Sequence, residues 1–130
     1  MKNPEIRFID DNIDWVSTNF KKIYIKASEG GTPSTTVDAF YKNGTIPFVK
    51  IEDTEQKYIE KVNNFINELG LKNSSAWVVP ENSLIFTNGA TVGNVAINKI
   101  PVSTKQGILS IIIRQNFDIE FLYYILSSEM

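Results

Sequence analysis

The longest apolar run in the chain, at residues 108–113, is the feature that most constrains its fold. Only Ser110 interrupts a series of isoleucine and leucine residues there. A short, nearly continuous apolar run predicts a strand that is buried on both faces in the middle of a sheet. The fold should therefore be built around a sheet with this segment inside it.

Other segments have the composition of strands or of short helices. The predicted strands are residues 23–26, 46–51, 83–87 and 95–97, each rich in β-branched or aromatic residues. Paired glycines and a proline interrupt regular structure at residues 29–36. The predicted helical or turn segments are residues 15–22, residues 38–42, the tight turn at Asn43-Gly44, and a final helix capped by Asp118 with Phe121, Leu122, Ile125 and Leu126 on its apolar face. The sequence thus predicts an α+β fold, with a twisted, mainly antiparallel sheet and a few short helices.

The segment from residue 55 to residue 69 has two interpretations. Its apolar residues fall at helical spacing, and Gly70 would be a suitable C-cap. The alternative is an extended chain through Tyr58 and Ile59, followed by a short helix with Asn67 as its N-cap. Periodicity alone favours the helix.

Composition argues against an enzyme. The chain has neither histidine, the commonest general base, nor cysteine. The best carboxylate pair, Glu52 and Asp53, directly follows a strand and fits a solvated strand end better than a catalytic site. No glycine-rich turn matches a phosphate-binding loop. We therefore expect no catalytic residue, no metal site and no cofactor.

Charge and hydropathy leave the partner open. The net charge is −2, but residues 15–117 carry a net charge of +3 because the acidic excess lies towards both ends. This balance permits contact with DNA without requiring it. The chain begins without the apolar run of a signal peptide and has no stretch of about 20 apolar residues. A cytoplasmic protein is the expectation.

Four loops between the strands are dense in hydroxyl and amide side chains. They are residues 32–36, 72–75, 87–89 and 103–106. Such groups can donate to phosphates or read base edges. In any single loop they can equally well build turns by bonding their own backbone. Four such loops on one small domain favour a binding face.

An ordered set of motifs along nearly the whole chain resembles the specificity subunits of type I restriction-modification systems. The matching segments are GGTPS at residues 30–34, FY at 40–41, GTIPFVKIED at 44–53, GLKNSSA at 70–76, VP at 79–80, IFT at 85–87, ATVGNVAI at 90–97, QG at 106–107 and FLYYIL at 121–126. A Gly-Gly-Thr-Pro turn alone is not specific, but the ordered set is. Lys105 departs from the family pattern, which usually has asparagine before Gln106.

The resemblance implies a target-recognition domain that reads half of a bipartite duplex DNA site, with partner methyltransferase and restriction subunits performing the chemistry. It favours the extended interpretation of residues 55–69. The polar, acidic composition of residues 1–14 predicts a lead-in loop. The resemblance then implies a partial recognition domain at residues 15–130, without the family's long spacer helix. Such a chain would be a fragment, the product of an interrupted gene or a natural half-unit, and would dock methyltransferase subunits poorly.

Under this hypothesis the polar loops contact base edges and four lysines neutralise phosphates. The predicted DNA-binding residues are Thr32, Ser34, Thr35, Lys42, Lys50, Lys72, Asn73, Ser74, Thr87, Asn88, Thr91, Lys105 and Gln106. An alternative hypothesis is a truncated protein-interaction module that pairs with a second specificity chain and changes target choice without binding DNA alone. Its interface would be the apolar face of the final helix, unless that helix packs on its own sheet.

Overall fold

A computed structural model of the chain describes residues 23–87 and 93–128. Within these residues the strands are β1 (Tyr24–Glu29), β2 (Ile46–Val49), β3 (Tyr58–Ile59), β4 (Phe65–Ile66), β5 (Leu84–Thr87), β6 (Asn94–Asn98), β7 (Ser103–Thr104) and β8 (Ile108–Ile113). Two 3₁₀-helices span Asp38–Phe40 and Ile51–Glu55, and the α-helices are α1 (Glu68–Lys72) and α2 (Ile119–Ser128). The predicted lead-in at residues 1–14 and the turn or helix at residues 15–22 lie outside the described residues.

The larger sheet has five strands in the order β1-β8-β5-β6-β3. Strand β8 pairs antiparallel with β1 and with β5, so that Ile111 lies opposite Ala27 on one side and Leu84 on the other. Its residues Ile108, Ser110, Ile111 and Ile113 are buried. The interior position predicted from the apolar run is confirmed.

A second sheet has three strands in the order β4-β2-β7. Strand β2 pairs antiparallel with β4 and parallel with β7. In the larger sheet, β6 pairs antiparallel with β5 and parallel with β3. Most pairings are therefore antiparallel, and the predicted α+β class is confirmed. The division into two sheets is a finding that the sequence did not indicate.

The extended interpretation of residues 55–69 is correct and the long helix is wrong. Strands β3 and β4 hydrogen-bond to β6 and β2, which removes this segment from any helix. The short helix α1 follows, and the Asn67 side chain caps it by accepting from the Gly70 backbone N–H at 2.8 Å. Gly70 lies inside that helix rather than at its end, packed against Phe40. Sheet pairing here outweighs the helical periodicity.

Strand β2 ends at Val49, two residues before the predicted end at Ile51. Ile51 instead begins a 3₁₀-helix, because the Asp53 carboxylate accepts the Lys50 backbone N–H at 2.9 Å and the Lys50 carbonyl accepts the Asp53 N–H at 3.0 Å. These reciprocal bonds turn the chain. Of the pair Glu52 and Asp53 that was considered for catalysis, Asp53 therefore has its carboxylate engaged in a helix cap.

The final helix begins as predicted, but Phe121, which was predicted to lie on its apolar face, is not on the packed side. The Asp118 carboxylate accepts the Glu120 backbone N–H at 2.9 Å, which is the expected cap. Leu122 is buried against the larger sheet, with Ile119, Tyr123 and Leu126 packed beside it. Phe121 is 55% exposed and points away from this contact.

One of the apolar clusters contains residues of both sheets. Val49 of β2 belongs to the same buried cluster as Ile59, Ile85 and Ile108 of the larger sheet. This contact fixes the end of β2 close to the start of β8, and therefore brings the loops at those ends together. Across the described ranges, no helix combines the length and apolar content needed to cross a membrane.

Candidate nucleic-acid interface

The paired glycines of the GGTPS motif allow two backbones to touch. The Gly30 N–H donates to the Ile108 carbonyl at 2.9 Å, and the Gly31 N–H donates to the Thr104 carbonyl at 3.0 Å. A Cβ on Gly30 would overlap Thr104, and one on Gly31 would lie 2.5 Å from the Ala76 backbone nitrogen. Only glycine fits such close approaches. The motif therefore anchors its loop to the ends of β7 and β8.

Hydroxyl groups hold the loop that follows these glycines. The Thr32 Oγ1 accepts the Gln106 backbone N–H at 3.1 Å, and the hydroxyls of Ser34 and Thr36 lie 2.9 Å apart. The Tyr41 hydroxyl donates to the Pro33 carbonyl. Burial raises the pKa of Tyr41, which extends to higher pH the range in which this hydroxyl is protonated and can donate. The loop is tied to its neighbours at both ends.

These contacts border an open cleft of about 450 Å³. We call it the lysine cleft, because Lys50 and Lys105 lie on its walls. It is lined by Thr32, Thr35, Asp38, Tyr41, Phe48, Lys50, Asn64, Phe65 and Lys105. Four of the predicted DNA-binding residues, namely Thr32, Thr35, Lys50 and Lys105, thus come together from three separate segments of the chain.

The two lysines give the cleft its positive charge. Lys105 is exposed and Lys50 half-buried, and the Lys105 backbone N–H donates to the Val49 carbonyl at 3.0 Å. Within residues 23–87 and 93–128, neither ammonium has a carboxylate at ion-pair distance, although Asp38 lies on the same cleft. Lysines placed this way can neutralise phosphate groups.

The loop at residues 72–75 touches Gly31 but does not line the lysine cleft, and its Asn73 and Ser74 side chains bond the protein's own backbone. The Asn73 amide donates to the Leu69 carbonyl at 2.8 Å. The Ser74 hydroxyl donates to the Gly70 carbonyl at 2.9 Å and accepts the Ala76 N–H at 3.2 Å. Lys72 is exposed in the last turn of α1. At Asn73 and Ser74 the geometry favours turn building over DNA reading.

The remaining predicted site residues are not brought into the lysine cleft. Thr87 is buried, and its hydroxyl accepts the Asn94 backbone N–H at 2.9 Å. The side chains of Ser34, Lys42 and Gln106 are exposed and are not part of its lining. Asn88 and Thr91 lie outside the described residues.

Sequence reasoning missed five residues that line this cleft, namely Asp38, Tyr41, Phe48, Asn64 and Phe65. Asn64 and Phe65 lie on its wall, and the Phe65 side chain is 41% exposed. Only the helical interpretation of residues 55–69, which is wrong, would place Phe65 on the apolar face of a helix. The alternation of side chains along an extended chain is the signal that could have found it, since Ile66 is the buried neighbour.

The chemical groups on the lysine cleft indicate which kind of ligand it could bind. In the part of the chain that the structure describes, no cluster of three or more aspartate or glutamate side chains could hold a metal ion. The lysine cleft offers hydroxyls, one amide, two ammonium groups, one carboxylate and three aromatic rings, so its ionisable side chains carry a net positive charge. This set suits a polyanion that also presents flat, partly apolar surfaces.

The fold is that of an α+β domain, and two of its four polar loops, residues 32–36 and 103–106, meet at the lysine cleft. The chain belongs to the family described as "Type I restriction modification DNA specificity domain", whose sequence model matches residues 12–130. This confirms the resemblance carried by the ordered motifs. The family, and not the cleft alone, identifies the class of protein.

Relatives of known name support the same assignment. The chain is 32% identical over 119 residues to the type I restriction enzyme MjaIX specificity subunit of Methanocaldococcus jannaschii, and 27% identical over 103 residues to the EcoR124I/EcoR124II specificity subunit of Escherichia coli. These matches cover 89% and 76% of the chain, but 27% and 26% of the relatives. The chain therefore spans about a quarter of the length of these subunits.

A solved structure has a similar fold. The HsdS subunit from Thermoanaerobacter tengcongensis superposes with a TM-score of 0.51 at 14% sequence identity. The similarity covers 95% of this chain and 36% of that subunit. At this level of identity the comparison supports the fold alone.

Proposed function

We propose that this chain is a target-recognition module that binds duplex DNA sequence-specifically as part of a type I restriction-modification specificity subunit. The family membership supports this function. The observation that points to a particular DNA-binding surface is the lysine cleft, which Thr32, Thr35, Lys50 and Lys105 line together. All four are among the residues predicted from the sequence to contact DNA.

The residues of the cleft make two kinds of contact with DNA, to phosphates and to base edges. Lys50 and Lys105 contact phosphates, which position the domain on the duplex without reading its sequence. The hydroxyls of Thr32 and Thr35 contact base edges, and each well-placed base contact discriminates by about 1–3 kcal/mol. The anchoring of Thr32 by the Gln106 N–H keeps its loop in one position, so less entropy is lost on binding.

The proposal assigns no chemical step to this chain. Methyl transfer and DNA cleavage belong to methyltransferase and restriction subunits, which are its proposed partners together with DNA. Such a complex works where the chromosome is, in the cytoplasm. The Asp53 carboxylate, the most plausible acid in the sequence, already accepts the Lys50 backbone N–H.

The experiment is enrichment of bound sequences from a randomised duplex pool, followed by anisotropy titration at several salt concentrations. Lys50→Gln and Lys105→Gln should each weaken binding to all duplexes and reduce the salt slope by about 0.9. Lys99→Gln is the matched control, because Lys99 is exposed and lies in a different groove, beside Arg114. A folded chain that enriches no sequence, alone or with a methyltransferase subunit, would refute the proposal.

A second candidate is the interaction module that pairs with another specificity chain. One observation favours it: Phe121 and Tyr124, three residues apart on α2, are 55% and 71% exposed. Residues at this spacing lie on one side of a helix and can form a contact. Sedimentation of the chain with a second specificity chain tests this, and Phe121→Ala with Tyr124→Ala should abolish any complex that uses this surface.

A further inference from the structure

The ring of Phe65 is a part of the lysine cleft that phosphate binding does not use. Its strand neighbour Ile66 is fully buried, whereas Phe65 is 41% exposed. Successive side chains of a strand point to opposite faces, so burial of Ile66 turns the Phe65 ring outward. The ring faces the same cleft as Lys50 and Lys105.

The backbone around Phe65 holds the ring in a defined position. Phe65 lies opposite Pro47 in the antiparallel pair β2–β4. The Asn64 carbonyl accepts the Phe48 backbone N–H at 2.8 Å, which fixes the start of β4. A side chain on a paired strand is placed more accurately than one on a loop. Phe65 is therefore built to present an apolar surface at a fixed point of the cleft.

The neighbours of Phe65 indicate which part of a DNA base pair its ring would contact. In a DNA-binding cleft, an exposed apolar side chain finds one apolar feature on the edges of base pairs in the major groove, the 5-methyl group of thymine. The Asn64 amide lines the cleft beside it, and among the described residues its side chain makes no hydrogen bond. An asparagine amide suits adenine, the base that pairs with thymine.

We propose that Phe65 is a specificity-determining residue whose ring contacts the 5-methyl group of a thymine in the bound duplex. This inference rests on the proposed function and adds a residue and a base to it. It requires that at least one thymine of the recognised sequence be read through its methyl group. Replacing that thymine by uracil removes the methyl group and leaves every hydrogen-bonding group of the base in place.

The test uses the sequence enriched from the randomised duplex pool by the full chain. Each thymine is replaced by uracil in turn, and the dissociation constants are compared. At one position uracil should weaken binding about fourfold, the effect of one methyl group leaving water. Phe65→Ala should bind both duplexes equally, and Phe65→Leu should retain part of the preference. Ile25→Ala, a truncation of another exposed apolar side chain, should retain all of it.

The results of this experiment distinguish the role of Phe65 from the proposed DNA recognition. An enriched sequence without thymine, uracil replacements without effect, or a methyl preference that survives Phe65→Ala would each overturn the role of Phe65 and leave DNA reading intact. Failure to enrich any sequence would overturn both. If circular dichroism shows that Phe65→Ala does not fold, Phe65→Leu and the uracil series in the unaltered chain decide the question.

Discussion

The Lys57 ammonium lies 2.9 Å from the Glu120 Oε1, and this ion pair joins the strand β3 region to helix α2. The Tyr58 hydroxyl donates to the same carboxylate oxygen at 2.8 Å. The hydrogen bond from Lys57, with that from Tyr58, lowers the pKa of Glu120, and the Glu120 carboxylate raises the pKa of Lys57. This exposed pair thus connects groups more than 60 residues apart in sequence, whereas the buried Leu122 packs the final helix on the sheet.

We expect this pair to make the stability of the protein pH-dependent. Because the pKa of Glu120 is lower in the folded state, its contribution is present above the ordinary glutamate pKa of about 4.3 and is lost as the pH falls through the folded value. The Lys57 contribution is present below the ordinary lysine pKa of about 10.4 and is lost as the pH rises through its raised folded value. Urea unfolding of Glu120→Gln from pH 3 to pH 7 should show a deficit at neutral pH that disappears in acid. Glu60→Gln is the control, and a deficit independent of pH would contradict the expectation.

The close approach at Gly30 predicts a large effect of a single methyl group. Gly30→Ala forces the loop away from Thr104 and should lower the free energy of unfolding by about 3 kcal/mol. Gly107→Ala is the comparison, because a Cβ there meets nothing within 4 Å and only the positive φ of 93° is strained. That change should cost about 1 kcal/mol. Chemical denaturation measures both, and equal losses would show that close packing at Gly30 is not the cause.

The buried side chain of Asn98 forms hydrogen bonds to backbone groups of Pro80, Ser83 and Ile100. Its side-chain amide donates to the Pro80 carbonyl at 2.8 Å and the Ile100 carbonyl at 3.0 Å, and its Oδ1 accepts the Ser83 N–H at 2.9 Å. Asn98→Ala leaves these groups buried and unpaired and should cost about 2–4 kcal/mol. Asn98→Asp should be worse, because its carboxylate would face two carbonyls. Asn63→Ala, at an exposed asparagine, should change stability by less than about 0.5 kcal/mol.

The two neighbours Phe121 and Leu122 should respond differently to truncation. Leu122 is 4% exposed and packs on the larger sheet, so Leu122→Ala should cost about 3 kcal/mol. Phe121 is 55% exposed, so Phe121→Ala should leave the free energy of unfolding within about 0.5 kcal/mol. Thermal and urea unfolding measure the difference. A larger loss for Phe121 would mean that the other side of α2 is the packed one.

Local signals in the sequence were enough for several elements. The apolar run at Ile108–Ile113 indicated an interior strand, Asp118 indicated a helix start, and Asn67 was available as a cap in one of two interpretations. Residues 55–69 were ambiguous because their buried residues Ile59, Val62 and Ile66 keep the i, i+3, i+7 spacing of a helix face although the chain there is extended. The hydrogen bonds to β2 and β6 decided between the two, and those partners are distant in sequence.

By itself, the sequence determined the α+β class, most strand positions and, through its ordered motifs, the family. These follow from composition, turn residues and short-range spacing, which act within a few residues. Only the tertiary structure decided that Thr32, Lys50, Phe65 and Lys105 share one cleft, while Asn73 and Thr87 bond their own backbone. The reason is physical: strand pairing and the packing of two sheets bring together loops far apart in the chain, and no local pattern specifies which loops meet.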